Sequence, residues 1–170
     1  MKLKIKIKSD GTYTFPSIIG KGEWIDLYAA KDTELLAPKL NKGNNIMEFS
    51  LKLIPLGVRM KLPEGFEAIM APRSSTPKNF GMMQSNSIGI IDNSYSGNDD
   101  EWKFAAFPLK NTVVKQGDKI CQFRIQLSQK ATVWQKFKWL LCSGVKLVPT
   151  NDLGSKNRGG FGSTGKNKNE

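Results

Sequence analysis

The chain begins "MKLKIKIK", with lysine at Lys2, Lys4, Lys6 and Lys8 and apolar residues at Leu3, Ile5 and Ile7. A period of two places the apolar residues on one face of a strand and the lysines on the other. The charged row also blunts an edge that would otherwise pair with another chain. The same grain runs on. Short strand candidates at 24–30, 46–54, 57–62, 66–71, 87–92, 102–107, 119–127 and 145–148 are punctuated by Pro, Gly and Asn. Such spacing belongs to sandwiches, barrels and jelly rolls. There is little sustained 3.6-residue periodicity. "SSTPKNFG" has room for one helical turn with Ser74 or Ser75 as its N-cap. "WQKFKWLLCSG", residues 134–144, is aromatic and cationic, and reads either as an extended hairpin or as a short amphipathic helix. The expectation is an all-β chain with at most one short helix.

Of 170 residues, 39% are apolar, enough for one globular domain. We place it at 1–150, with an insertion at about 134–144. The remainder, 151–170, is rich in Gly, Asn, Ser and Lys with one aromatic, Phe161, and reads as a flexible segment. No stretch approaches the ~20 apolar residues of a membrane span. The N-terminus lacks the apolar core of a signal peptide. Two cysteines, Cys121 and Cys142, make no disulfide framework, so an intracellular setting is expected.

Histidine is absent. That removes His-based triads, the common zinc sites and imidazole acid–base chemistry. Hydrolysis by this chain must use carboxylates, a hydroxyl, or a metal held through oxygen. The formal net charge of +11 favours polyanionic partners such as phosphorylated small molecules, or serves solubility alone. The lysines run from Lys2 to Lys168 without forming one stripe, which disfavours nucleic acid.

Five stretches carry chemistry-bearing residues. "GEWIDLYAA" holds Asp26 in an apolar strand. "APRSSTPKNFG" sets Arg73, Ser74 and Ser75 after a strand, a planar fork of donors beside hydroxyls that suits phosphate oxygens. "NSIGIIDNSYSG" ends an apolar run on Asp92 with Tyr95 three residues on. "GDKICQFRI" carries Gln122. "RGGFGSTG" lets backbone N–H groups approach an anion, but lacks the lysine and the strand–helix setting of a P-loop.

In this order the five blocks resemble the trimeric deoxyuridine triphosphatase (dUTPase) family, and the form is similar to its Bacillus and phage branch. The resemblance implies a jelly-roll-like antiparallel β subunit in a homotrimer with shared active sites, where the tail of one chain closes over a site on its neighbours. It implies hydrolysis of dUTP to dUMP and pyrophosphate with Mg²⁺, which limits uracil incorporation into DNA and supplies dUMP. A cytoplasmic, bacterial or phage-encoded enzyme is expected. Carried over, Asp92 activates the attacking water and Tyr95 packs on the deoxyribose. Asn86 and the backbone of Gly89 and Ile91 read uracil. Arg73, Ser74 and Ser75 bind phosphate, and Asp26 and Gln122 hold Mg²⁺ through water, with Gln122 also touching substrate. Phe161 is the lid ring over uracil, and Ser163 and Thr164 bind the γ-phosphate.

The chain departs from the family pattern in four places. Glu23, Trp24 and Ile25 stand where Ala-Gly usually precedes the first aspartate. Ser94 replaces a second aspartate. Arg158, which the resemblance makes a substrate-binding residue, sits closer to the glycine pair than usual. "NDDEW", residues 98–102, looks inserted, and one use for it is to bring an aromatic to the uracil pocket. Two other functions remain open: a dCTP deaminase of the same fold, and a phage regulatory protein that binds a protein partner, with 134–144 as a candidate surface.

Overall fold

The computed structural model describes residues 1–18, 20 and 22–160. Its largest sheet has five antiparallel strands in the order Gly89–Ile91, Phe66–Pro72, Lys119–Leu127, Ile25–Tyr28 and Ser17–Ile18. A second sheet runs Val145–Pro149, Leu3–Ser9, Val58–Lys61. Here the N-terminal strand lies parallel to Val145–Pro149, an exception to the antiparallel rule of this fold. A third sheet runs Met82–Gln84, Lys103–Pro108, Lys52–Pro55, and two strand pairs complete the β structure: Thr112–Val114 with Thr33–Leu35, and Lys39–Asn41 with Ile46–Glu48.

The opening alternation sets the inward face as its period dictates, but the strand is not an edge, since it lies between Val145–Pro149 and Val58–Lys61. Leu3, Ile5 and Ile7 are buried, while Lys2, Lys4 and Lys6 are exposed. They join one core built around Phe66, Trp102, Phe104 and Phe123. The strand expected over 46–54 is broken, because Ile46–Glu48 and Lys52–Pro55 pair into different sheets. The strand expected over 87–92 is trimmed to Gly89–Ile91, since Ser87 turns the chain in the left-handed region at φ 61°.

Among the described residues a 3-10 turn at Thr12–Thr14 and two short α-helices interrupt the sheets, where at most one short helix was expected. Thr76–Phe80 is a single turn closed by Gly81 at φ 58°. Ser75 holds the N-cap position without a side-chain cap bond; Thr76 does the local work instead. Its hydroxyl accepts the Arg73 N–H at 3.1 Å and donates to the Ile120 carbonyl at 2.7 Å. Val133–Leu140 resolves the reading of 134–144 in favour of a helix, started by a capping box between Thr132 and Gln135. Its Trp139 packs on Phe66 at 5.4 Å between ring centres, while Trp134, Phe137 and Leu140 stay exposed.

Cys121 is fully buried and Cys142 partly so. Burial, with Asp26 nearby, pushes the Cys121 thiol far above its ordinary range. The thiolate is the reactive form. Iodoacetamide at neutral pH is therefore expected to modify Cys142 first and to reach Cys121 only on denaturation. Peptide mass spectrometry before and after adding denaturant reads the order directly.

Candidate active site

The strand Gly89–Ile91 lies at the edge of the five-stranded sheet and pairs only with Phe66–Pro72, with Gly89 opposite Met70 and Ile91 opposite Ala68. An edge strand leaves one row of backbone donors and acceptors unpaired, the kind of surface that reads a flat base. Gly89 is needed here for close approach: a Cβ on it would stand 3.0 Å from Met70 Cε and 3.4 Å from Gln84 Nε2. Gln84 is 7% exposed and donates to Asn86 Oδ1 at 3.0 Å, which orients the Asn86 side chain.

Beyond the strand the chain turns, with the Tyr95 N–H on the Asp92 carbonyl at 3.0 Å. The Asp92 carboxylate points to solvent. The Tyr95 hydroxyl donates to the Glu101 carbonyl at 2.8 Å, and burial pushes its pKa upward, helped by the charges of Asp100 and Glu101. It therefore stays a neutral donor. Ile90, Ile91, Asp92 and Tyr95 line a pocket of about 220 Å³ whose remaining wall is Arg158, Gly159 and Gly160.

That wall is the root of the C-terminal segment, and it lies on its own chain. Leu153 is fully buried, with its N–H on Asn98 Oδ1 at 3.1 Å. Asn157 and Asp99 bind each other through side chain and backbone. The Asp100 carboxylate, 2% exposed, accepts N–H bonds from Gly97 at 2.8 Å, Arg158 at 2.9 Å and Gly159 at 2.9 Å. Burial alone would raise the Asp100 pKa, but these donors outweigh it and hold the carboxyl below its ordinary value. A lowered folded-state pKa means that this stabilisation is complete above the usual carboxylate range. It is lost as pH falls through the lowered value. Arg158 Nη1 then reaches Asp92 Oδ2 at 2.8 Å. Both side chains are about half exposed, so the pair is weak and exchangeable.

The other blocks lie elsewhere in the chain. Asp26 faces Gln122 in strand register, and Gln122 faces Ala71. Arg73 Nε binds Asp26 at 3.0 Å and Lys119 Nζ approaches from the other side at 3.3 Å. Arg73 is part-exposed and Ser74, next in the chain, is exposed. By register Asp92 lies level with Glu67, six positions from Arg73 along the Phe66–Pro72 strand and its continuation. At ~3.3 Å per residue that is roughly 20 Å. Within one chain Asp92, Tyr95 and Arg158 share a pocket, while Asp26, Arg73 and Gln122 lie together further along the sheet.

As arranged, Asp26 is not placed to take a magnesium ion directly. Asp26 is 1% exposed and already neutralised by two cations. Magnesium keeps its waters and takes one or two accessible carboxylates plus substrate phosphates. Asp26 instead serves to hold Arg73. Among the described residues no cluster of three or more Asp, Glu, His or Cys side chains is placed to hold a metal. Trp102 does not reach the pocket either. It is 1% exposed and packs edge-on against Phe123 at 5.1 Å, which ties the inserted loop to the core. Phe161, Ser163 and Thr164 lie outside the described residues.

The sequence reading missed Gln84, Asp100 and Gly160. Gln84 had one visible sign, its place two residues before Asn86 on an adjoining strand. Asp100 had only its presence in a run of acids.

The architecture is that of a dUTPase subunit. A dUTPase from Streptococcus mutans superposes with a TM-score of 0.61 at 21% identity, covering 73% of this chain and 93% of that one. The dUTPase of phage phi11 of S. aureus, in a form that coordinates a structural Mg(II) ion, gives a TM-score of 0.60 at 14% identity over 76% of this chain and 94% of that one. The dUTPase family model matches residues 26–136. The SPbeta prophage-derived deoxyuridine 5′-triphosphate nucleotidohydrolase of Bacillus subtilis (strain 168) is 45% identical over 97% of this chain and 99% of its own length. A deoxyuridine 5′-triphosphate nucleotidohydrolase of Finegoldia magna is 30% identical over 97% of this chain and 99% of its own length. The chain belongs to the dUTPase family.

Proposed function

We infer that this chain is a dUTP diphosphatase that converts dUTP and water to dUMP and pyrophosphate. The observation that carries this reading is the edge-strand hairpin, which puts unpaired backbone, a tyrosine ring and an exposed carboxylate around one pocket. In this reading the backbone of Gly89 and Ile91, with Asn86, takes the uracil edge. The Tyr95 ring lies against the sugar and leaves no room for a 2′-hydroxyl. Water attacks the α-phosphorus, the bond to the β-phosphate's bridging oxygen breaks, and Asp92 takes the water's proton. Pyrophosphate departs against Arg73, Ser74, Ser75 and Gln122. Arg73 and Gln122 would meet the triphosphate as its Mg²⁺ complex, in which the ion would offset phosphate charge.

Asp92 and Arg73 lie too far apart in one chain to serve one phosphate ester, which favours sites shared between copies. The hairpin formed by Lys39–Asn41 and Ile46–Glu48 supports assembly. Leu40 and Met47 pair across it and are 51% and 44% exposed, an apolar face that a second copy would cover. A homotrimer in the cytoplasm of a bacterium, or encoded by a phage, completes the proposal. No helix among the described residues is long and apolar enough to cross a membrane.

The test is pyrophosphate release from dUTP, dCTP, dTTP and UTP, each with and without Mg²⁺. Turnover confined to dUTP is expected. Ammonia release from dCTP would favour the deaminase instead, and no turnover of any nucleotide would sink the enzyme reading. The exposed apolar face of Val133–Leu140 is the one feature that favours a protein partner as well.

A further inference from the structure

The inserted stretch 98–102 brings no aromatic to the pocket, yet it makes most of the contacts that hold the C-terminal segment. Past Leu153 that segment buries almost nothing: 156–160 are all exposed. A segment without buried apolar area has to be held by polar contacts or it frays. Those contacts converge on one carboxylate. Asp100 takes the consecutive amides of Arg158 and Gly159 together with that of Gly97. Its loop is itself anchored. Trp102 is in the core, its carbonyl accepts the Leu56 N–H at 3.0 Å, and the neighbouring Glu101 carboxylate accepts the Gly57 N–H at 3.0 Å. The fit leaves no slack, because a Cβ on Gly97 would stand 2.5 Å from Asn157 Cα.

We propose that Asp100 is a positioning residue for the reaction, whose buried carboxylate straps residues 157–160 against the hairpin and so delivers Arg158 to Asp92 and Gly160 to the Tyr95 ring. Gly160 stacks there closely: a Cβ on it would meet Tyr95 Cε2 at 3.0 Å. The strap is thus made by the chain's own residues. When a triphosphate enters, Arg158 has only to turn from a half-exposed carboxylate to the phosphates, with its backbone already fixed. The catalytic half of this inference rests on the proposed dUTP hydrolysis; the structural half does not.

The experiment has two arms on the full-length protein. The first is hydrogen exchange without ligand. In Asp100→Asn the carboxamide keeps the shape but loses the charge and one acceptor, so the Arg158 and Gly159 amides are expected to exchange about 10–100-fold faster, the usual size of a charge-assisted bond. Core strands such as Lys119–Leu127 should stay unchanged. Gly97→Ala prises off the strap without touching a charge and should give the same local result. Fast exchange at 158–159 in the wild type, or no change in either variant, overturns the proposal. The second arm is dUTP turnover by Asp100→Asn, by a chain ended after Asn157, and by both changes together. Asp100→Asn should raise KM in the full chain and add nothing to the truncated one. An equal loss in both backgrounds would show that Asp100 acts through the hairpin, not through the strap. Absence of turnover in the wild type would sink the dUTP reading and leave the exchange arm to decide the anchor.

Discussion

Asp92→Asn is expected to lower turnover by about 10²–10⁴-fold while dUTP–Mg²⁺ still binds at least as tightly. The argument starts from charge. The triphosphate is strongly anionic, so a carboxylate beside it opposes binding and earns its place only by accepting a proton. No histidine is available to do so. Asn keeps the shape and one acceptor oxygen but removes the base. The structure adds a second reason for tighter binding. In the structure the Arg158 guanidinium is paired with Asp92 at 2.8 Å. Without the carboxylate that cation is free for phosphate, and one repulsion is gone as well. Calorimetry with a non-hydrolysable dUTP analogue, beside steady-state turnover in the same preparation, separates the two effects. Weak binding with normal turnover at saturation would make Asp92 a binding residue and end its role as base.

What was legible in the sequence was mostly local. The alternation at Leu3, Ile5 and Ile7 needs only a strand's period, and it set the inward face correctly. The hairpin residues Asp92 and Tyr95 sit three apart and share a turn, so their common pocket followed from order along the chain. The segment 134–144 was ambiguous because apolar and cationic residues there fit two periods; the Thr132–Gln135 capping box, just outside it, decides for helix. Asp26 was seen, but its partners were not. A carboxylate in an apolar strand looks like a ligand until Arg73, 47 positions later, and Lys119, 93 positions later, are found on it. Asp100 was invisible for the same reason. It and its partner Arg158 are 58 residues apart, and nothing in "NDDEW" says which amides it will collect. Polar contacts at long sequence separation carry no periodicity, so sequence pattern alone does not reveal them.

Mixed trimers of Asp92→Asn and Arg73→Ala chains are expected to regain activity that neither homotrimer has. Within one chain Asp92 and Arg73 lie at opposite ends of the strand Phe66–Pro72, roughly 20 Å apart by its rise per residue. A base must stand within hydrogen-bond reach of the attacking water, and the phosphate fork must hold groups one or two bonds from the reacting phosphorus. One chain cannot meet both demands. Two chains meet them if the hairpin of one faces Arg73 of the next, a head-to-tail contact that closes into a ring. In an Asp92→Asn homotrimer every site then lacks its base, and in an Arg73→Ala homotrimer every site lacks its fork. When the chains mix at random, roughly a quarter of sites draw Asp92 from one parent and Arg73 from the other and are whole again. Removing Arg73 also leaves Asp26 buried with Lys119 as its one remaining cation, so Gln122→Ala serves as an independent second partner that keeps the pair intact. The measurement is dUTP turnover after co-refolding differently tagged chains and isolating the doubly tagged species. Doubly tagged trimers that stay inactive with both partners would mean that Asp92 and Arg73 never share a site, and the division of labour between copies would have to be abandoned.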